Sequence, residues 1–315
     1  MTPTLRSIVD PVHLAELVAR EYGLEVSGCV LLRSLVNDVY RVDTPAGPRI
    51  LKLYRAGYAA AAWEVSLAAH AGPSVAQGIP RRDGSLSGTL AAAEGPRAYS
   101  LWEWVPGRKP PHPRDDALYH RFGAATAAFH EATAGFPAPT ASNALALVDD
   151  VLAGLPDADD RALLARLAAE AGQRLAAADL ERGVCHGDVT LDNIHVDGDR
   201  IVFFDLDRAA ENWRATDLTP VAATPQWPAF LAGYRTVRSL AEANIAAIPW
   251  LEVLLRIDYL HFHLYAKPAI RGTESKTEGW IDQNLTALRA IRHEIGPSGT
   301  GSPCRMSSTT RPPSG

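Results

Sequence analysis

The feature that most constrains this chain is the segment 184–193, VCHGDVTLDN, which is followed by an apolar run at 201–204 and then by Asp205. Asp188 and Asn193 lie five residues apart, in a stretch too rich in turn-forming residues for a regular helix. An Asp-Gly-Asp turn separates the apolar run from a short β pattern after Asn193, which predicts a hairpin. Two carboxylates and an amide oxygen can then meet at one end of that hairpin.

These residue types indicate a particular chemistry. Oxygen ligands of this kind suit Mg²⁺, which binds one or two carboxylates together with the phosphates of a substrate. A carboxylate that does not bind the metal can accept a proton from a hydroxyl nucleophile. The spacing H-x-D-x-x-x-x-N, followed by an Asp at the end of a strand, matches the catalytic-loop template of kinases. The alternative is a turn in which Asp188 and Asn193 only cap backbone groups.

Composition and charge exclude several other classes of protein. With 47% apolar and 21% charged residues, the 315-residue chain has enough material for a packed core. A net charge of −5 argues against nucleic-acid binding as the main activity. Three widely spaced cysteines, Cys29, Cys185 and Cys304, cannot form a disulfide framework. We find no apolar run long enough to span a membrane and no signal peptide, so we expect a cytoplasmic protein without a membrane partner.

The pattern of apolar residues predicts a smaller β-rich part at 1–105 and a larger helical part at 106–295, an α+β architecture. Four prolines between 106 and 114 mark a linker at the start of the second part, which also contains the hairpin. Residues 296–315 are mostly Gly, Ser, Thr and Pro, and we expect them to be disordered. Within the first part, predicted strands lie at 26–35, 39–43, 49–54 and 97–105.

These motifs resemble those of the aminoglycoside phosphotransferase and choline-kinase-like group, small-molecule kinases with a bilobal, protein-kinase-like fold. The resemblance covers most of the chain. It implies that Asp188 is the catalytic base and that His186 supports the loop. It also implies that Asn193 and Asp205 bind Mg²⁺, with Asp207 near the metal as a further ligand. Many relatives carry another Asp after this position, where the present chain has Arg.

An upstream pair of charged residues resembles the nucleotide site of the same group. Lys52 ends the strand pattern Arg-Ile-Leu-Lys and would contact the α- and β-phosphates of ATP. Glu64 follows twelve residues later on a predicted helix, and it would orient the ammonium group of Lys52. A Lys in this position is otherwise a solvated residue at a strand end.

Two further segments complete the implied nucleotide site. Ser34 and Asn37 lie in the loop between the first two strands, which would cover the phosphates although it lacks the Gly-rich pattern of protein kinases. The backbone of Glu103 and Val105 falls where the hinge of the family meets adenine. The tryptophans of that segment fit core packing equally well.

Three other features allow more than one interpretation. Asp217 matches the buried Asp that braces the catalytic loop in the family, and it also fits a helix N-cap, a compatible role. The motif at 204–207, Phe-Asp-Leu-Asp, resembles the nucleophile of haloacid-dehalogenase phosphatases, although it lies late in the chain. His261 and His263 lie two residues apart on a predicted helix, where they do not share a face, which favours packed or surface histidines over a metal site.

The sequence therefore predicts transfer of a phosphoryl group from ATP to a hydroxyl of a small molecule, such as an amino acid, an amino alcohol or an aminoglycoside. The segment 230–240 resembles the branch that includes type II homoserine kinases and a bacterial stress-response protein kinase. A nucleotide-binding module without catalysis and a Ser/Thr protein kinase of the stress-response type are the alternatives. The chain could be a monomer or a homodimer. Candidate lining residues of the acceptor pocket are Trp213, Trp227, Trp250, Arg256 and Tyr259.

Overall fold

The structure, a computed structural model, describes residues 4–110, 112 and 114–295. Contacts divide these residues into two units. The first unit comprises the described residues up to His112, together with Glu131–Phe136 and Leu191–Ala209. The second unit comprises the other described residues. The predicted disordered tail lies outside the described part of the chain.

An antiparallel sheet forms the centre of the first unit. The strands pair in the order β1-β2-β3-β6-β4, and β5 also pairs with β6. The four strands predicted from the sequence correspond to β1, β2, β3 and β6, whereas the short β4 and β5 were not predicted. The strand bounds are β1 Gly28–Ser34, β2 Asp38–Asp43, β3 Arg49–Leu53, β4 Gly78–Ile79, β5 Gly88–Ala92 and β6 Gly95–Glu103.

Helix α1, Pro11–Tyr22, covers one face of this sheet. Its N-terminus is capped by Asp10, whose carboxylate accepts a hydrogen bond from the Val12 N–H at 2.9 Å. Because side chains alternate along a strand, only every second residue of β2 and β3 contacts α1. The apolar core that forms there contains Leu14, Leu17, Val18, Tyr22, Tyr40, Val42, Leu51, Leu53, Leu90, Tyr99 and Leu101. Lys52 and its cross-strand partner Val39 therefore lie on the opposite face of the sheet.

The hairpin predicted after the 184–193 motif is present, with strands β8, Ile194–Asp197, and β9, Arg200–Phe203. It groups with the sheet unit, whereas the sequence analysis placed it in the helical part. Backbone hydrogen bonds explain this difference. Arg108 of the linker exchanges two of them with Val196, at 3.0 and 2.7 Å, and the Ala76 N–H donates to the carbonyl of Phe203 at 2.7 Å.

The segments after β6 are mainly helical, as predicted. Two short strands, β7 (Arg182–Cys185) and β10 (Ala210–Trp213), pair antiparallel within the second unit. A π-helical turn, Phe262–Ala266, interrupts the helical stretch after α9. The helices are α2 Ala61–Ala71 in the first unit, followed by α3 Asp116–Ala132, α4 Val148–Gly154, α5 Ala158–Ala177, α6 Thr219–Ala222, α7 Trp227–Val237, α8 Glu242–Ala246, α9 Ile248–His261, α10 Lys267–Arg271 and α11 Trp280–Ile295.

Helices α3 and α7 approach each other backbone to backbone. A Cβ atom at Gly123 would lie 1.9 Å from the carbonyl oxygen of Phe230, and one at Gly233 would lie 1.8 Å from that of His120. Only glycine fits at these two positions. Among the described residues, no helix is long and apolar enough to cross a membrane.

A buried ion pair joins β2 to β6 in the first unit. The side chains of Asp38 and Arg97 are 0% and 1% exposed, and the Arg97 guanidinium donates to the Asp38 carboxylate at 2.8 Å. Arg6, from the segment before α1, donates to the second oxygen of Asp38 at 2.5 Å. A charged group buried to this degree depends on its partner, because it is removed from water.

We expect Asp38→Ala to lower the free energy of unfolding by about 3 kcal/mol, because it leaves the buried Arg97 guanidinium with only the more distant carboxylate of Glu94, at 3.4 Å. The matched control is Asp43→Ala, which removes an exposed ion pair with Arg41 and should cost no more than about 1 kcal/mol. Urea unfolding followed by circular dichroism measures both changes. Equal stabilities of the two variants would contradict the prediction.

Candidate active site

The hairpin of the first unit brings two of the predicted metal ligands together. Ile194 pairs with Phe203, and beyond this pair the Phe204 N–H donates to the carbonyl of Asn193 at 3.0 Å. Asn193 and Asp205 therefore flank the open end of the hairpin, as the sequence predicted. This placement follows from the register of the two strands.

Asp205 has an unusual backbone conformation. Its φ angle is +69°, and it is the one non-glycine residue with positive φ in the described part of the chain. Asp tolerates this left-handed region better than most residues, but the conformation still costs free energy. Such residues concentrate at functional sites, where the surrounding structure holds them in place.

The ammonium group of Lys52 lies close to three acidic side chains that were predicted as site residues. Its ammonium group lies 2.8 Å from the carboxylate of Asp205, 3.3 Å from that of Glu64 and 3.9 Å from that of Asp207. Burial alone would lower the pKa of Lys52, but the three carboxylates outweigh it and raise the pKa well above its ordinary value. Lys52 is therefore charged at neutral pH.

Glu64, in the first turn of α2, is completely buried, and its carboxylate has hydrogen-bond partners in addition to Lys52. The hydroxyl of Tyr54 donates to its carboxylate at 3.0 Å, and the hydroxyl of Tyr58 donates to the other oxygen. Burial raises the pKa of Glu64, although Lys52 opposes this effect. The sequence pattern alone did not indicate a role for the two tyrosines. Tyr54 follows Lys52 by two residues, so the period of a strand could have placed the two side chains together.

The two residues predicted to contact the nucleotide from the β1–β2 connection, Ser34 and Asn37, form hydrogen bonds with other protein groups. The Asn37 amide donates to the carboxylate of Asp207 at 2.8 Å and accepts from the Arg55 N–H at 3.1 Å. The Ser34 hydroxyl donates to the carboxylate of Asp38 at 2.7 Å. The Asn37 contact holds the loop against Asp207, whereas the Ser34 contact joins the two ends of the loop. A nucleotide contact by Ser34 or Asn37 stays a prediction.

The predicted hinge follows strand β6. The Glu103 N–H donates to the carbonyl of Gln77 at 2.8 Å, and a ring nitrogen of His195 lies 3.2 Å from the carbonyl of Val105. Trp102 is buried and donates to Ser100, so it is a packing residue, whereas Trp104 is exposed. Recognition of adenine by this backbone stays a prediction.

In the second unit, Asp217 supports the segment that leads to Asp188. Its carboxylate accepts backbone hydrogen bonds from His186 at 2.7 Å and from Gly187 at 2.8 Å. Asp217 lies inside a short 3₁₀ turn, Arg214–Leu218, and not at a helix N-cap. The bracing role that the resemblance implied is therefore the one that matches the contacts.

His130 and Tyr234 extend this support, and the sequence analysis identified neither. One ring nitrogen of His130 lies 3.0 Å from the Asp217 carboxylate, and the other lies 2.9 Å from the Tyr234 hydroxyl. Burial lowers the pKa of His130, which favours its neutral form. Burial would raise the pKa of Asp217, but the hydrogen bonds from His130 and the backbone outweigh it and lower that pKa.

The same cluster includes Cys185, and one ligand atom each of Cys185, His130 and Asp217 lie within 4.8 Å of one another. Hydrogen bonds within the protein are enough to explain why these three side chains lie close together. Both ring nitrogens of His130 and both oxygens of Asp217 have protein partners. The Cys185 thiol contacts the carbonyl of Trp213 at 3.3 Å, and burial raises its pKa well above the ordinary value.

The profile of the phosphotransferase enzyme family matches residues 30–248. The chain belongs to the phosphotransferase enzyme family. Homoserine kinase of Rhizobium meliloti is 29% identical to it over 269 residues, which cover 75% of this chain and 78% of the relative.

Two solved structures show the same fold. The microcompartment-associated aminopropanol kinase matches with a TM-score of 0.69 at 23% identity, over 89% of this chain and 95% of its own. Amicoumacin kinase hAmiN, in complex with AMP-PNP, Ca²⁺ and Ami, matches with a TM-score of 0.69 at 19% identity, over 90% of this chain and 93% of its own.

The matches confirm the family resemblance and the α+β, protein-kinase-like fold predicted from the sequence. As a member of the phosphotransferase enzyme family, the protein is a phosphotransferase of the small-molecule kinase type. The haloacid-dehalogenase interpretation of the 204–207 motif is therefore wrong, and so is the non-catalytic alternative.

In the described helical region of this phosphotransferase, His261 and His263 contact different partners. His261 lies 3.7 Å from the carboxylate of Asp150, whereas the ring of His263 stacks on Trp280 at 5.6 Å. These separate partners agree with the predicted packing roles.

The candidate acceptor residues have packing contacts of their own. Trp227 stacks on Phe230, Trp250 contacts Arg174, and Arg256 pairs with Glu252 at 2.7 Å. Trp213 contacts the guanidinium of Arg182. Contact of any of them with an acceptor stays a prediction.

The depressed pKa of His130 predicts a specific dependence of stability on pH. The unfolded chain takes up a proton near pH 6.5 that folded His130 does not, so this stability is present above pH 6.5 and is lost on acidification. We expect His130→Gln to reduce the slope of unfolding free energy against pH by up to about 1.4 kcal/mol per unit just below pH 6.5. Urea unfolding at several pH values measures this slope.

The positive control is His263→Gln, because burial lowers the pKa of His263 to about 4 and predicts a change of the same sign. If His130→Gln shows the slope of the unsubstituted protein while His263→Gln does not, the assignment of a neutral His130 is wrong.

Proposed function

We propose that this phosphotransferase transfers the γ-phosphoryl group of ATP to a hydroxyl of a small molecule that also carries an amine. The observation that carries the proposal is the position of Lys52, whose ammonium group lies between the carboxylates of Glu64 and Asp205. A lysine that contacts nucleotide phosphates needs a carboxylate to orient it, and Glu64 is buried for this role.

Nucleotide binding is assigned to the face of the sheet opposite α1. Lys52 would bind the α- and β-phosphates, and Glu64 with its two tyrosine partners would keep the ammonium group in position. The side chain of Val39 lies beside Lys52 on this face and would contact the nucleotide above the phosphates. The backbone of Glu103 and Val105 would bind the edge of adenine.

The acidic residues around Lys52 fit a divalent cation. The ammonium group of Lys52 contacts the carboxylates of Asp205, Asp207 and Glu64, so these three acidic groups lie close together. Asn193, Asp205 and Asp207 offer the oxygen donors that Mg²⁺ prefers, and these residues would hold it. Bound Mg²⁺ would neutralise the negative charge of the phosphates during transfer.

Asp188 is assigned as the general base. It would orient the acceptor hydroxyl and take its proton as the new bond to phosphorus forms and the bond to the ADP oxygen breaks. Most of the rate enhancement would come from positioning and charge neutralisation, since this transition state is loose. Asp217 contributes by holding the backbone of His186 and Gly187, which directly precede Asp188.

The relatives support a small acceptor with an amine and a hydroxyl. The homoserine kinase and the aminopropanol kinase are named for acceptors of this kind. We therefore place hydroxylated amino acids and amino alcohols ahead of aminoglycosides as substrates. A Ser/Thr protein kinase activity of the stress-response type is the competing outcome.

The test is release of ADP from Mg-ATP with a panel of acceptors: homoserine, 1-amino-2-propanol, choline, aminoglycosides and a dephosphorylated protein mixture. We expect turnover with an amino alcohol or a hydroxylated amino acid, and a fall in kcat of about 10²- to 10⁴-fold in Asp188→Asn, with ATP affinity little changed. Turnover only with protein, or an Asp188→Asn variant of normal kcat, would overturn the proposal.

Asp205→Asn should weaken Mg-dependent nucleotide binding, because it removes the negative charge of a predicted metal ligand that also contacts Lys52. Isothermal titration calorimetry with Mg-ADP should give a Kd raised by about tenfold or more. The control is Asp199→Asn, in the exposed turn at the far end of the same hairpin. Similar Kd values for the two variants would remove Asp205 from the metal site.

A further inference from the structure

We propose that Lys109, from the linker after β6, is a positioning residue that fixes the two metal-ligand segments relative to each other. This inference rests on the proposed function, because it concerns the Mg²⁺ site assigned there. The sequence analysis treated this region only as a Pro-rich linker.

The linker is bound to the hairpin through its backbone. The Arg108 N–H donates to the carbonyl of Val196 at 3.0 Å, and the Val196 N–H donates back to Arg108 at 2.7 Å. Gly107 has a φ angle of +81°, and a Cβ atom there would lie 2.2 Å from the Val196 carbonyl oxygen. The backbones of the linker and the hairpin are thus in direct contact. This contact fixes the backbone position of Lys109.

The side chain of Lys109 contacts the residue before each of two predicted metal ligands. Its ammonium group donates to the carbonyl of Asp192, which precedes Asn193. It also lies 4.8 Å from the centre of the Phe204 ring, which precedes Asp205. One cation therefore binds both segments that end the hairpin, through a charge-assisted hydrogen bond and a cation–π contact.

Further contacts of Phe204 connect the position of its ring to both predicted metal ligands. Its ring packs edge-on against His195 at 5.1 Å, and its N–H donates to the carbonyl of Asn193 at 3.0 Å. Movement of the ring would therefore reach Asp205 directly along the chain and Asn193 across the hairpin.

If Lys109 acted only through its charge, its removal would change metal affinity in the opposite direction. The charge of Lys109 interacts with the nearby carboxylates of Asp192 and Asp205, while burial and Arg33 lower the pKa of Lys109. If this charge only repelled a divalent cation, its removal would tighten metal binding. If Lys109 positions the ligands, its removal weakens metal binding although a positive charge is lost. The sign of the change separates the two roles.

The experiment compares Lys109→Met, which removes the charge, with Lys109→Arg, which retains both kinds of contact. Mn²⁺ binding in the presence of saturating ADP is measured by electron paramagnetic resonance, and the Mg²⁺ concentration for half-maximal turnover is measured alongside it. We expect Lys109→Met to raise the Kd for Mn²⁺ about tenfold, with Lys109→Arg within about threefold of the unsubstituted protein. The control is Arg108→Met, since the pairing of Arg108 with Val196 uses only its backbone.

A second variant tests the route through the ring. Phe204→Leu should raise the Kd for Mn²⁺ as well, and the double variant with Lys109→Met should fall short of the product of the two single effects. Unchanged or tighter Mn²⁺ binding by Lys109→Met, in a protein that binds Mn²⁺ and ADP normally, would overturn this inference alone. Failure of the unsubstituted protein to bind Mn²⁺ with ADP would instead reject the proposed function.

Discussion

The charged cluster of the first unit depends on one buried ammonium group, that of Lys52, which contacts three carboxylates. Lys52 can remain charged in its buried position because Glu64, Asp205 and Asp207 surround it. The same arrangement places three carboxylates close together, which suits the divalent cation of the function we propose. The sheet sets the position of Lys52, and the hairpin register sets that of Asp205. Two separate pieces of backbone therefore determine one electrostatic cluster.

In the second unit, the corresponding interaction is the one that supports the segment before Asp188. Asp217 is buried and ionised, so it needs donors, and it obtains them from the backbone of His186 and Gly187 and from His130. A neutral His130 suits this network, because one nitrogen donates to Asp217 while the other accepts from Tyr234. The charge of Asp217 is thus used for structure, which leaves the neighbouring Asp188 for chemistry in the function we propose.

Part of this organisation could be predicted from local sequence. Runs of apolar, β-branched and bulky residues located β1, β2, β3 and β6, and the motif spacing placed Asn193 and Asp205 at one end of a hairpin. The partnership of Lys52 with Glu64 came from a resemblance and is confirmed by their contact. His130 and Tyr234 could not be predicted, because His130 lies 87 residues from Asp217 and 104 residues from Tyr234, and no local pattern marks either contact. Contacts group the hairpin with the sheet unit, which was not predicted because its hydrogen bonds with Arg108 and Ala76 have no signature in composition.

The crossing of α3 and α7 carries a consequence for this support. Gly123 and Gly233 let the two helices touch along their backbones, and the residue after Gly233 is Tyr234, which meets His130 near the end of α3. The separation of the helices therefore determines whether the tyrosine hydroxyl reaches the imidazole. A single methyl group at either glycine would push the helices apart, and the displacement would pass through Tyr234, His130 and Asp217 to the backbone of the segment before Asp188. The distance between two helix axes therefore limits which substitutions this support can accept at positions that carry no chemistry themselves.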